Sequence, residues 1–216
     1  MTAPPTLLFD LDGTLTDNYH GISRSLLHAL TTLGVRRVSD AELRHCIGPP
    51  LRVTLARLLG TDDPAVVERA LGLYRERYAV DGWRENAVYA GIDSALRALS
   101  GRGHRLLLCT SKPQVYAERI VAHFGLARYL SAVYGAELGG RLDDKAALMA
   151  TLLSAERLDP AQCVMVGDRA QDMRAAKTHQ VDTLGVLWGY GSREELVAAG
   201  ARRLISAPEE LIAAVC

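Results

Sequence analysis

The sequence predicts an α/β protein with a parallel sheet, interrupted after its first strand by a small, purely helical domain. Three observations carry this. Short apolar runs of strand length recur along the chain. Helical patterns fill the intervals between the later runs, and the stretch from about residue 18 to 88 contains helical patterns alone.

Taken in order, Leu7–Phe9 is the first buried strand, followed by Asp10-Leu11-Asp12-Gly13-Thr14. In the insertion, Ile22, Leu26, Ala29, Leu30 and Leu33 form one apolar stripe, closed by Gly34. Leu51, Leu55, Leu58 and Leu59 form a second, closed by Gly60. Val67, Ala70, Leu71, Tyr74 and Tyr78 form a third, closed near Gly82. One crossover rarely needs so many helices, so this segment reads as an inserted bundle. Further strands are expected at Arg105–Cys109, Ala132–Tyr134, Cys163–Val166 and Thr183–Leu187. Between them, Val115, Ile120, Val121 and Phe124 mark a helix from Pro113 to Phe124, stopped by Gly125. Leu148, Met149, Leu152 and Leu153 mark another over Asp144–Leu153. The expected domains are 1–17 with 89–216, and 18–88.

Composition narrows the classes. Lys plus Arg and Asp plus Glu both number 25, giving no net charge and no support for bulk nucleic-acid or acidic-membrane binding. No run approaches the roughly 20 apolar residues of a membrane span. Cys46, Cys109, Cys163 and Cys216 lack metal-ligand spacing and read as small buried hydrophobes of a reducing compartment. The six histidines show no ligand spacing either. A soluble cytoplasmic protein, monomeric or homodimeric, is expected.

Four places carry the chemistry. Asp10 and Asp12 leave the first strand together, and two close carboxylates repel unless a cation or shared proton intervenes. Thr110-Ser111-Lys112-Pro113 follows the second long apolar run. Lys145 stands near a helix start, and Asp168 with Asp172 follows the run ending at Gly167. In open α/β sheets such strand ends form one ligand crevice. The set fits phosphoryl transfer. A carboxylate and a phosphate dianion approach only when positive charge stands between them. Asp10 and Asp168 offer hard oxygens to Mg²⁺, and Lys145 offers a fixed cation. The Thr110 hydroxyl and backbone N–H groups around Leu11, Asp12 and Ser111 offer neutral donors. Pro113 suits a first helical turn, where free N–H groups favour an anion.

These motifs together resemble the haloacid dehalogenase superfamily over nearly the whole chain: Asp10-Leu11-Asp12-Gly13-Thr14, then Thr110, Lys145, and Gly167-Asp168 with Asp172. The resemblance implies a Rossmann-like core with a helical cap of the C1 type. It also implies an aspartyl nucleophile, Asp10, and a partner acid/base, Asp12, held neutral by its environment. Mg²⁺ would then be held by Asp10, the Asp12 carbonyl and Asp168, with Asp172 behind. Ile47–Leu51, Asn86–Gly91 and Gly185–Ser192 are similar to the phosphoglycolate phosphatase and 5′-nucleotidase-like branch. Ser111 and Ala90 stand where many relatives have Asn and Pro. An acid at Asp12 argues against halide expulsion, which needs no proton. The expected activity is Mg²⁺-dependent hydrolysis of small phosphate monoesters. A phosphomutase, or a phosphate-accepting signalling module without turnover, is the alternative. In the cap, His20 and Arg52 are the substrate-binding candidates, Arg52 toward a second anionic group or an intra-cap salt bridge. Gly189-Tyr190-Gly191 reads as a turn, since it lacks the third glycine of a dinucleotide loop.

Overall fold

A computed structural model describes residues 4–35 and 37–215. The chain divides into two units, one running up to Asp17 and resuming at Val88, the other spanning Asn18–Ala87. The expected second boundary lay one residue later.

The first unit is built on β1 (Thr6–Phe9), with β2 (Thr16–Asp17) just beyond it. The second unit follows and holds α1 (Tyr19–Thr32), α2 (Asp40–Arg44), α3 (Leu51–Leu59) and α4 (Pro64–Arg77). The chain returns through β3 (Ala87–Val88). Then come α5 (Ile92–Gly101), β4 (Leu106–Pro113), α6 (Gln114–His123), β5 (Ala132–Ala136) and α7 (Lys145–Ala155). After them lie β6 (Cys163–Gly167), α8 (Ala170–Thr178), β7 (Asp182–Val186), α9 (Arg193–Ala199), β8 (Arg203–Ile205) and α10 (Leu211–Val215).

Six strands form one sheet in the order β5-β4-β1-β6-β7-β8, every neighbouring pair parallel. The order reverses at β1, so the carboxyl ends of β1, β4 and β6 lie side by side at the switch point. Both faces are covered, which is why the strands read as continuous apolar runs. On one face Leu8, Leu107, Cys109 and Met165 pack with Leu148, Met149 and Leu152 of α7 and Ala175 and Ala176 of α8. The alternate residues Leu7, Phe9, Leu106, Leu108, Val164 and Val166 are equally buried. Each such leucine or phenylalanine stabilises the fold by about 1.5–3 kcal/mol relative to exposure.

In the helical unit, α1 buries Ile22, Leu26, Ala29 and Leu30, and α4 buries Val67, Ala70, Leu71 and Tyr74. Gly60 ends α3 in the left-handed conformation, as its position suggests. Beyond α4 the chain continues helically as a wider turn, Tyr78–Gly82, and stops at Gly82 as expected. A Cβ at Gly21 would lie 2.0 Å from the Gly82 carbonyl oxygen, so the two glycines permit close backbone approach.

Several expectations need correction. Val115 is exposed because it lies on the outer side of α6, whose buried residues are Tyr116, Ala117, Ile120 and Val121. Pro113 precedes α6 as its cap instead of occupying its first turn. In α3 only Thr54 and Leu55 are fully buried. The short α2, β2, β3 and β8 were not expected. Cys46, Cys109 and Cys163 are buried free thiols, and Cys216 lies outside the described residues. Among the described residues no helix is long and apolar enough to cross a membrane.

Candidate active site

The backbone at the end of β1 turns sharply. Asp10 N–H still extends the ladder, donating to Val166 O at 2.9 Å. The Leu11 carbonyl then accepts from the N–H groups of Leu15 and Thr16, both at 2.9 Å, and winds the chain into a turn. Asp10 and Asp12 thus lie just past the strand, on either side of Leu11 in this turn. Each meets its own lysine.

Lys145, the first residue of α7, is buried and ion-paired with Asp10 at 2.8 Å and with Asp172. It lies nine residues past the end of β5, positioned by the helix whose N-terminus Asp144 caps through Ala147 N–H at 2.8 Å. Burial alone would lower its pKa, but Asp10 and Asp172 outweigh burial and raise it. Lys112, on β4, is buried too and pairs with the Asp12 carboxylate. Asp12 is thus held in an ion pair here, not in the neutral environment expected. The sequence reading left Lys112 without a role, although its place two residues after Thr110 at a strand end was a usable signal.

Asp168 follows β6 and is fully buried. Thr14 Oγ1 donates to its Oδ1 at 3.2 Å, and Tyr190 N–H donates to its Oδ2 at 2.8 Å. Gly13 makes this approach possible. Its φ is +88°, and a Cβ there would sit 2.2 Å from Asp168 Oδ2. Gly189-Tyr190-Gly191 is a turn as expected, and it also supplies that donor. Asp172 Oδ2 accepts from Arg169 N–H at 2.9 Å, fixing the start of α8. Glu195 of α9 secures the same loop, accepting from Arg169 Nε at 2.9 Å and Ala170 N–H at 2.8 Å.

Carboxylate oxygens of Asp10, Asp168 and Asp172 all lie within 4.8 Å of one another. Burial, then Asp172 and Asp10, push the Asp168 carboxyl well above its usual pKa. Burial pushes Asp172 up to about 6 against the opposing pull of Lys145. These are groups crowded with negative charge. Four buried carboxyl groups (Asp10, Asp12, Asp168, Asp172) lie with the buried ammonium groups of Lys112 and Lys145 and with Arg169, which Glu195 also engages, so acids outnumber bases among these groups. Hard oxygen donors, close spacing and that excess of acids fit a divalent cation such as Mg²⁺.

Of the remaining candidates, Thr110 is buried and its hydroxyl accepts from Lys112 N–H at 3.2 Å. Leu11 is buried and Ser111 half-buried at the same strand ends. His20 is exposed on α1, edge-on to the Tyr19 ring. Arg52, on α3, pairs with Glu68 of α4 at 2.5 Å, which occupies it inside the helical unit.

The fold and this cluster define an α/β enzyme with a carboxylate-centred site at the switch point of a parallel sheet. The chain belongs to the haloacid dehalogenase-like hydrolases, whose family pattern matches residues 7–186. It is 45% identical to a 5′-nucleotidase of Pseudomonas aeruginosa, across 90% of this chain and 87% of that protein. It is 39% identical to Tyrosine-protein kinase PtkA of Mycobacterium tuberculosis, across 88% of this chain and 64% of that protein. It is 32% identical to a phosphoglycolate phosphatase of Agrobacterium fabrum, across 86% and 82%. Among solved structures, a predicted phosphatase from Clostridium acetobutylicum superposes with a TM-score of 0.95 at 33% identity, covering 99% of both chains.

Proposed function

We propose that this protein is a Mg²⁺-dependent phosphatase of small phosphate monoesters, working through an aspartyl-phosphate on Asp10. The observation that carries this is the buried cluster of Asp10, Asp168, Asp172 and Lys145 at the carboxyl ends of β1 and β6, in which carboxyl groups outnumber the single ammonium group by two. The names of the 5′-nucleotidase and phosphoglycolate phosphatase relatives support the phosphatase reading.

Asp10 attacks phosphorus as the ester oxygen departs. Lys145 fixes the Asp10 carboxylate and offsets charge on the phosphoryl oxygens, and the Thr110 hydroxyl donates to one of them. Asp12, carrying a proton at that stage, delivers it to the departing oxygen. The ionised Asp12 then takes a proton from water, which cleaves the acyl phosphate and regenerates Asp10. The ion pair with Lys112 corresponds to the ionised form needed in this second half. Mg²⁺, held by Asp10, Asp168 and the Asp12 carbonyl with Asp172 behind, would supply the positive charge that lets an anion approach a dianion. His20 and Arg52 are proposed only as cap positions near substrate, Arg52 after exchanging its Glu68 partner.

The test is phosphate release from a panel of phosphoglycolate, nucleoside monophosphates, sugar phosphates and p-nitrophenyl phosphate, with Mg²⁺ or with EDTA. Metal-dependent release that Asp10→Asn lowers by about 10³-fold or more supports the reading. Isomerised product without free phosphate would instead indicate a mutase. A stable phospho-protein without turnover would indicate a signalling module.

A further inference from the structure

We propose that Trp188-Gly189-Tyr190-Gly191 is a clamp for Asp168, with the Tyr190 phenol as its positioning group. Held by Asp17, that phenol fixes the backbone N–H that aims the Asp168 carboxylate at the cation. The clamp rests on the proposed function only in taking Asp168 as a metal ligand.

The turn governs both oxygens of that carboxylate. Tyr190 N–H donates to Oδ2 at 2.8 Å. Thr14 Oγ1 donates to Oδ1 at 3.2 Å, and Trp188 Nε1 in turn donates to the Thr14 carbonyl at 3.0 Å. Close approach demands the two glycines. A Cβ at Gly189 would lie 2.3 Å from Gly13 O and 2.5 Å from Asp168 Oδ2, and one at Gly191 would lie 2.0 Å from Asp168 O. Glycine is also the residue with the most backbone freedom, so a residue flanked by two of them keeps its direction poorly by itself. Side chains must supply the order. The Tyr190 phenol does so by donating to Asp17 Oδ1 at 2.6 Å. Asp17 closes β2, just past the loop that carries Asp12, Gly13 and Thr14. Tyr190 thus holds Asp168 through its main chain and the β1–β2 segment through its side chain. Removing the phenol oxygen loosens the N–H while leaving every acid of the Asp10, Asp168 and Asp172 cluster in place. Groups that orient a metal-binding carboxylate in this way set how tightly the ion is held.

The test compares wild type with Tyr190→Phe, Asp17→Ala, the double variant, and Asp17→Asn, which removes the charge but keeps an acceptor for the phenol. Mn²⁺ binding to the substrate-free proteins is measured by titration calorimetry. The Mg²⁺ dependence of kcat and KM is measured on p-nitrophenyl phosphate. Tyr190→Phe and Asp17→Ala should each weaken Mn²⁺ binding about tenfold, the double variant no further, and Asp17→Asn by less than about threefold. Saturating Mg²⁺ should return most of kcat in Tyr190→Phe with the substrate KM little changed. A merely structural tyrosine would lower kcat with no rescue by metal, and that result overturns the proposal. So does unchanged Mn²⁺ affinity in Tyr190→Phe, or a double variant in which the two losses add in full. Asp17→Asn binding as weakly as Asp17→Ala would show that charge, not the anchored phenol, matters, and overturns it too. If the Mn²⁺ affinities differ as expected but no ester releases phosphate, the phosphatase reading falls and the clamp stands.

Discussion

Lys145→Met is the sharpest test of the charge arrangement. The substitution keeps the aliphatic stem of a buried side chain and removes the ammonium between Asp10 and Asp172. Removing one partner of a buried ion pair typically costs about 3–5 kcal/mol, because the other charge is left behind. For a chain of 216 residues each kcal/mol lowers Tm by about 2–4 °C, so a fall of about 6–20 °C is expected. The loss must depend on pH. Asp172 already titrates near 6 in the folded protein because of burial. Without Lys145 its folded pKa rises further, so the folded state binds its proton more tightly than the unfolded chain does. The variant is then penalised least at low pH, and the penalty grows as pH rises through the folded value. Adding Asp172→Asn removes one of the stranded carboxylates and should recover about 1–3 kcal/mol of stability without recovering turnover. Thermal melts followed by circular dichroism in EDTA, at about pH 5.5 and pH 8, read all of this. A single variant that melts within about 2 °C of wild type at both pH values would refute the reasoning.

Three further outcomes follow from the same geometry. In the wild type, the raised Asp168 and Asp172 carboxyls make the metal-free protein lose stability as pH rises above the unfolded carboxylate range, the Asp172 part through about 6. The rise in Tm on adding Mg²⁺ should therefore grow across that window, and an increment independent of pH would contradict the excess of acids. Gly13→Ala forces a Cβ onto Asp168 in a left-handed backbone conformation, so Mn²⁺ affinity by titration calorimetry should fall at least about tenfold, together with turnover. In the helical unit, Arg77 above all, assisted by Arg24 and opposed by burial, holds Glu85 down to about 2. Its contribution is present above the unfolded carboxylate range and is lost as pH falls toward 2. Glu85→Gln should cost about 1–3 kcal/mol in urea unfolding near neutral pH and progressively less below about pH 4.

Much of the architecture was legible. Leu7–Phe9, Cys163–Val166 and the stripe from Ile22 to Leu30 announce themselves because a buried strand or helix face imposes its period on nearby residues. The acids and Thr110 stood out because they end such runs. Other signals were present but faint. Ser39 and Glu42 form the capping box that starts α2, readable from their spacing alone. The three-residue β8 is too short to show a period.

The sequence by itself determined the five longer strands of the sheet and several of the helices, the site of the helical insertion and the set of acids at strand ends, since each is encoded within a few neighbouring residues. Only the tertiary structure decided the partnerships. Asp12 meets Lys112 a hundred positions away, Asp10 meets Lys145, Thr14 and Tyr190 hold Asp168, and Glu195 fastens the loop before α8. Side chains so far apart in the chain leave no shared pattern, and which charge neutralises which is settled only when the sheet brings them out of water together.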